Sequence, residues 1–167
     1  MIASLTGKII ALTSDTVILE VQGIGFEIFI SKSVLPTLEL GQRLSLQTHL
    51  VVREDLLALY GFESSDEKQL FLQLLGVDGV GPKLALSIIS NLSIDNIRRA
   101  VLNEQPEFFS RVPGVGKKTA QKILIHMQGK IVGGLEGEIS HRSSQVEDQV
   151  LEALVGLGYS IVEAQSA

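Results

Sequence analysis

The sequence predicts a multidomain chain of mixed α and β structure: a five-stranded β-barrel, then an all-α domain, then a short helical module on a flexible linker. Three observations predict it. Over the first 63 residues, β-branched and apolar stretches alternate with turn residues; at Ser64 the apolar period becomes helical. The phrase Gly79-Val80-Gly81-Pro82-Lys83-Leu84-Ala85 then returns 35 positions later as Gly114-Val115-Gly116-Lys117-Lys118-Thr119-Ala120.

Ile2 to Leu12, Thr16 to Val21, Gly25 to Ile30, Arg43 to Val52 and Leu56 to Phe62 read as strands, divided by turn chemistry such as Thr13-Ser14-Asp15 and Gln22-Gly23. Five short strands in residues 1–63 suggest a small barrel, of which the oligonucleotide-binding (OB) fold is the commonest kind. Closure would remove exposed strand edges. The all-α domain spans residues 64–128. Ser64 with Glu67 has the spacing of a capping box, and Leu70, Phe71, Leu74 and Leu75 follow at helical period. Pro82 suits the first turn of a helix running to about Asn91. Ser93 caps a helix from Ile94 to Leu102, Glu107 to Val112 leads into the second copy of the phrase, and Lys117 to Gln128 follows it as a helix. Residues 129–145, rich in Gly and Ser, read as a flexible linker. Residues 146–167 place Val150, Leu154 and Leu157 on one helical stripe, followed by Gly158-Tyr159.

In each copy of the phrase an apolar residue, Val77 or Val112, precedes a Gly-Val-Gly turn, and a helix follows. This is the pattern of a helix-hairpin-helix clamp for a nucleic-acid backbone. Gly79, Gly81, Gly114 and Gly116 permit a tight turn and close approach of a ligand. The first amides of the following helix lack intrahelical partners and lie at the positive end of its dipole, where phosphate is the natural guest. Lys83, Lys117 and Lys118 fall in the first turn, which the dipole disfavours for cations but which suits a phosphate contact; Lys122 lies one turn on. A nucleotide-binding P-loop does not fit: Pro82-Lys83 replaces the required Lys-Ser/Thr after Gly81, while in the second copy Arg111 stands for the first glycine and Lys118 for the hydroxyl.

The net charge of −5 is uneven. Residues 66–130 carry nine basic and six acidic groups, whereas residues 1–65 carry four and seven and residues 131–167 one and six. The basic excess coincides with the repeated phrase, as a local footprint for nucleic acid should. The absence of Cys excludes thiolate chemistry and disulfides, and neither a basic-plus-apolar leader nor an 18-residue apolar run is present, so a cytoplasmic protein without membrane contact is expected. His49, His126 and His141 lack metal-ligand spacing; no metal, cofactor or catalytic residue is expected. The aromatics lie within apolar runs, which argues for recognition of backbone and shape rather than base stacking.

These segments together resemble the RuvA family of Holliday-junction recognition subunits. The resemblance runs from Met1 to about Tyr159 and is carried by His49 to Asp55, Leu59-Tyr60-Gly61-Phe62, both hairpin phrases and Ala153 to Tyr159. It implies a homotetramer, singly or as two tetramers facing across DNA, that holds a four-way junction open and square. It further implies a hexameric RuvB-type AAA+ motor that consumes the ATP, and a RuvC-type junction resolvase as a further partner, in homologous recombination and DNA repair. Arg53-Glu54-Asp55, on its residues alone a polar hairpin, corresponds in the family to an acidic pin whose carboxylates, Glu54 and Asp55, repel phosphates near the crossover. Val150, Leu154, Leu157 and Tyr159 would dock the motor. The family's C-terminal domain has three helices, whereas this chain carries material for one and the start of another, so that stripe is expected to be poorly buried unless a partner completes it. An enzymatic alternative, a hairpin-bearing nuclease or glycosylase, lacks a further acidic cluster or a catalytic group after Lys122; an adaptor alternative rests on the likeness of Leu157-Gly158-Tyr159 to ubiquitin-associated domains.

Overall fold

Five strands, β1 (Ser4–Leu12), β2 (Thr16–Val21), β3 (Ile24–Phe29), β4 (Arg43–Arg53) and β5 (Leu56–Phe62), close into a barrel in the order β1-β2-β3-β5-β4. The computed structural model describes residues 2–54 and 56–130, so Asp55 and the expected C-terminal module with Val150, Leu154, Leu157 and Tyr159 lie outside the described residues. Neighbouring strands are antiparallel except β3 and β5, which run parallel at Ile28↔Leu59 and Phe29↔Tyr60. β4 closes the barrel because its first half pairs with β1 while its second half pairs with β5.

The expected strands are all present, with small differences at their ends. β1 begins at Ser4 because Ile2 and Ala3 spend their carbonyls on Thr48, from its hydroxyl and its amide, at 2.9 Å each. β3 ends at Phe29 because the Ile30 amide turns to the Asp15 carbonyl (3.2 Å). Alternation along β2 turns Val17 and Leu19 inward, to meet Ile9, Ile28, Leu46 and Leu59 in the barrel core. Each such side chain contributes about 1.5–3 kcal/mol by burial. At Gly61 a Cβ would lie 2.7 Å from Ile28 and 2.9 Å from Leu46, so the core fits closely around its bare backbone. A 3₁₀ turn at Leu35–Thr37, which no sequence signal announced, brings Val34 and Leu38 into the same core.

Helices α1 (Ser65–Leu75), α2 (Pro82–Asn91), α3 (Ile94–Leu102) and α4 (Glu107–Ser110) follow, then α5 over residues 117–130, two residues into the span read as linker. The Ser64 hydroxyl caps α1 by accepting the Glu67 amide at 3.2 Å; Glu67 answers by accepting the Glu63 amide (3.1 Å), one residue upstream of the usual reciprocal bond. Ser93 caps α3 in the same way through the Asn96 amide. α4 stops at Ser110, short of the expected Val112, because the Val112 amide bonds the Phe109 carbonyl and starts the second turn. Leu74, Ile88, Ile97, Phe109, Ile123 and Met127 form the fully buried helical core.

Barrel and helices belong to one compact unit, Met1–Met127. Phe71 of α1 joins them: its ring centroid lies 5.1 Å from Tyr60 and 4.9 Å from Phe62, with His49 at 5.9 Å on an edge. Polar contacts supplement this seat, from Lys68 Nζ to the Ala3 carbonyl at 3.0 Å and from the Lys32 amide to Ser90 Oγ at 3.2 Å.

Candidate nucleic-acid interface

The two copies of the repeated phrase fold into two hairpins that match bond for bond. Hairpin 1 joins α1 to α2 and hairpin 2 joins α4 to α5. In hairpin 1 the Val77 amide bonds Leu74 and the Val80 amide bonds Val77, both at 3.0 Å, and the Ala85 amide bonds Gly81 at 2.9 Å. Hairpin 2 repeats these bonds from Val112 to Phe109, Val115 to Val112 and Ala120 to Gly116, at the same distances. Val77, Val80 and Ala85 are buried, as are Val112, Val115 and Ala120, so three small apolar anchors hold each turn from below. The first glycine of each turn has positive φ, +87° at Gly79 and +90° at Gly114, a conformation that disfavours residues with a Cβ.

The second glycines carry the functional information. Gly81 has φ −88°, which any residue adopts, and Gly116 is absent from the positive-φ residues. A Cβ at either would meet nothing within 4 Å. Neither the fold nor the backbone therefore requires glycine there, and the open space would admit close approach by an external ligand. The amides around them point the same way: those of Gly81, Lys83 and Leu84, and of Gly116, Lys117, Lys118 and Thr119, have no acceptor among the described residues. Each turn thus presents a helix N-terminus with its donors open, a geometry suited to a phosphate oxygen.

Lys83, Lys117 and Lys118 are exposed on the first turns of α2 and α5 and make no ion pair among the described residues. Lys122 differs. Its Nζ donates to Asp78 Oδ2 at 2.6 Å, tying α5 to the turn of hairpin 1, and by hydrogen bond and charge it holds the Asp78 carboxyl below the usual carboxylate range. Asp78 escaped the sequence reading, although the repeat contained the signal: its counterpart 35 positions on is Pro113, and the counterpart of Lys122 is Ser87. Beside the hairpins, a groove of about 430 Å³ between α2 and the barrel takes its lining from Lys83, Ser87 and Pro113 on one side and from Lys32, Phe29 and Tyr60 on the other.

The acidic hairpin is separate in sequence and opposite in charge. The β4–β5 ladder continues to Arg53↔Leu56, and Glu54 follows directly at its end. Glu54 is exposed there, and Val52 and Leu57, opposite each other just behind it, are 68% and 72% exposed. That apolar pair on a projecting hairpin was also missed, because in sequence it is indistinguishable from a core strand. Among the described residues no group of three or more His, Asp or Glu side chains is placed to hold a metal ion, and no helix is long and apolar enough to cross a membrane.

Comparison with known proteins places names on both halves. The family described as RuvA N terminal domain matches residues 1–61, and the family described as SAM-like Helix-hairpin-helix tandem matches residues 71–128. Proteins named Holliday junction branch migration complex subunit RuvA align with the whole chain. That of Bordetella pertussis is 42% identical over 168 residues, spanning 88% of its own length, and that of Chloroflexus aggregans is 43% identical over 169, spanning 87%. The Nocardioides protein is 40% identical over 172 residues, spanning 86%.

Proposed function

This chain belongs to the RuvA family, and from that premise we propose that its two hairpins grip the backbones of a four-way DNA junction through Gly79, Gly81 and Lys83 and through Gly114, Gly116, Lys117 and Lys118. It binds Holliday junctions as the non-catalytic subunit of a branch-migration complex, and ATP is consumed by a RuvB-type motor. The observation that carries the mechanism is the pair of second glycines, needed by neither fold nor backbone, beside open amides at two helix N-termini. Such contacts read phosphate positions and not base identity, so recognition is of junction shape.

Charge supplies the geometry. Four copies in a square would place the basic hairpins outward along the arms and the tips bearing Glu54 and Asp55 around the crossover, where their carboxylates keep strands apart. The exposure of Glu54 at the end of the β4–β5 ladder supports this reading. Val52 and Leu57 behind the tip suit contact between neighbouring copies. Residues 146–167 would dock the motor, a RuvC-type resolvase would act on the assembled junction, and a second tetramer could cover its other face; the cytoplasm is the setting.

The test is a titration of the protein against a synthetic four-way junction and a linear duplex of equal length, with competitor DNA. Strong preference for the junction is expected, with log affinity falling by roughly 0.9 per phosphate neutralised for each unit of log salt. Equal affinity for both substrates would overturn the reading. In the same assay, Glu54→Gln with Asp55→Asn should keep or tighten binding while narrowing the preference for junction over duplex.

A further inference from the structure

Asp78 stands where a phosphate binder should least want it. It immediately precedes Gly79, and its side chain is 90% exposed on the turn of hairpin 1, the turn whose amides at Gly81, Lys83 and Leu84 are left open. Its only charged partner among the described residues is Lys122, which is itself 54% exposed. Exposed pairs of this kind add little to stability, because water screens the attraction and two mobile side chains must be held in place. The turn does not need the acid either, since hairpin 2 makes the same hydrogen bonds with Pro113 in its place. What the pair does is occupy a cation: Lys122 follows Lys118 by one turn on the same face of α5, and its Nζ already has an anionic oxygen at 2.6 Å.

We propose that Asp78 is a specificity-determining residue that acts as a built-in phosphate mimic, holding Lys122 out of the DNA contact until a backbone phosphate displaces the carboxylate. The proposal rests on the hairpin reading given above and refines the role of Lys122 within it. Two negative oxygens that share one ammonium repel each other, the more so where DNA binding excludes solvent. Lys122 therefore favours a backbone whose phosphate is placed to take the carboxylate's position. Hairpin 2 keeps Lys117 and Lys118 for any phosphate; the third cation of α5 is conditional.

The experiment measures DNA affinity of the full chain across a salt series, for Asp78→Asn alone and in a Lys122→Gln background. Freed from the carboxylate, Lys122 adds one phosphate contact. Asp78→Asn should then tighten duplex binding by about fivefold and steepen the log–log salt slope by roughly 0.9. In the Lys122→Gln background the steepening should vanish. Weaker binding by Asp78→Asn, an unchanged slope, or equal steepening in both backgrounds would overturn the proposal. Lys118→Glu serves as the separate control: if it leaves binding intact, the hairpin reading itself fails, whereas if it weakens binding while Asp78→Asn behaves as wild type, only the mimic is refuted.

Discussion

Hairpin 1 and hairpin 2 close the same hydrogen bonds around the same buried valines, yet they present different charges to solvent. Hairpin 1 has one first-turn lysine, Lys83, and an acid at its turn; hairpin 2 has Lys117 and Lys118, with Pro113 where the acid stands. The apolar anchors and the two glycines define the shape of the proposed phosphate seat, and the charged residues around it differ between the two copies. A duplicated backbone can thus carry different charges on the same frame, and the acid of hairpin 1 pairs with Lys122 of α5 rather than with its own Lys83.

The largest effect should come from the hairpin with less charge to spare. Lys83→Glu leaves hairpin 1 with two acids and no first-turn cation, whereas Lys118→Glu leaves Lys117 in place. A reversed charge at a partly desolvated contact is worth a few kcal/mol, so a loss in junction affinity of about thirtyfold is expected for Lys83→Glu and about tenfold for Lys118→Glu. Titration of both variants against one junction checks the order. A greater loss from Lys118→Glu would mean that hairpin 2 bears most of the grip, and the comparison would have to be redrawn.

Stability should separate the glycines more finely. Alanine at Gly79 or Gly114 meets the penalty of positive φ, about 1–2 kcal/mol. At Gly114 the new Cβ also presses on Leu84 Cδ1 at 3.2 Å, while at Gly79 it meets nothing within 4 Å. Gly114→Ala should therefore melt at a lower temperature than Gly79→Ala. Gly81→Ala and Gly116→Ala should melt near wild type and, on the proposed backbone contact, bind DNA more weakly, because their Cβ enters the open space beside the turn. A stability loss at Gly81 comparable to that at Gly79 would show that its glycine serves the fold.

Much of this was legible in the sequence because it depends on period and repetition. Alternation in Thr16–Val21, the Ser64 and Ser93 caps, and the 35-residue repeat of Gly, Gly, Lys and Ala each report a local rule that the fold obeys. Contacts between distant residues were not legible. The Asp78–Lys122 pair spans 44 positions and depends on how α5 crosses the turn of hairpin 1; no local pattern encodes it. The exposure of Val52 and Leu57 was not legible either, because membership of a predicted strand does not reveal that a hairpin runs past the barrel wall. The 3₁₀ turn at Leu35–Thr37 was silent for a related reason: Val34 and Leu38 are buried against strand residues distant in sequence, such as Ile9 and Leu59 of the same core.

The smallest effect concerns how hairpin 1 is seated. It grows out of α1, which rests on the barrel through Phe71, and the ring of His49 lies against Phe71 at that seam. Burial, aided by the nearby Lys68 ammonium, pushes the His49 pKa below its ordinary value of 6.5. In the unfolded chain the imidazole takes a proton as pH falls through that value, while in the folded chain it resists until lower pH, so the unfolded state binds more protons over the interval between. Stability supplied by a neutral His49 is therefore fully present above pH 6.5 and is lost as pH falls toward the folded value. Thermal melts at about pH 7.5 and 5.5 should show a drop for wild type that is smaller in His49→Gln, which keeps a polar side chain but cannot titrate there. An equal drop in both proteins would place the acid sensitivity elsewhere and leave the seat of hairpin 1 indifferent to protons.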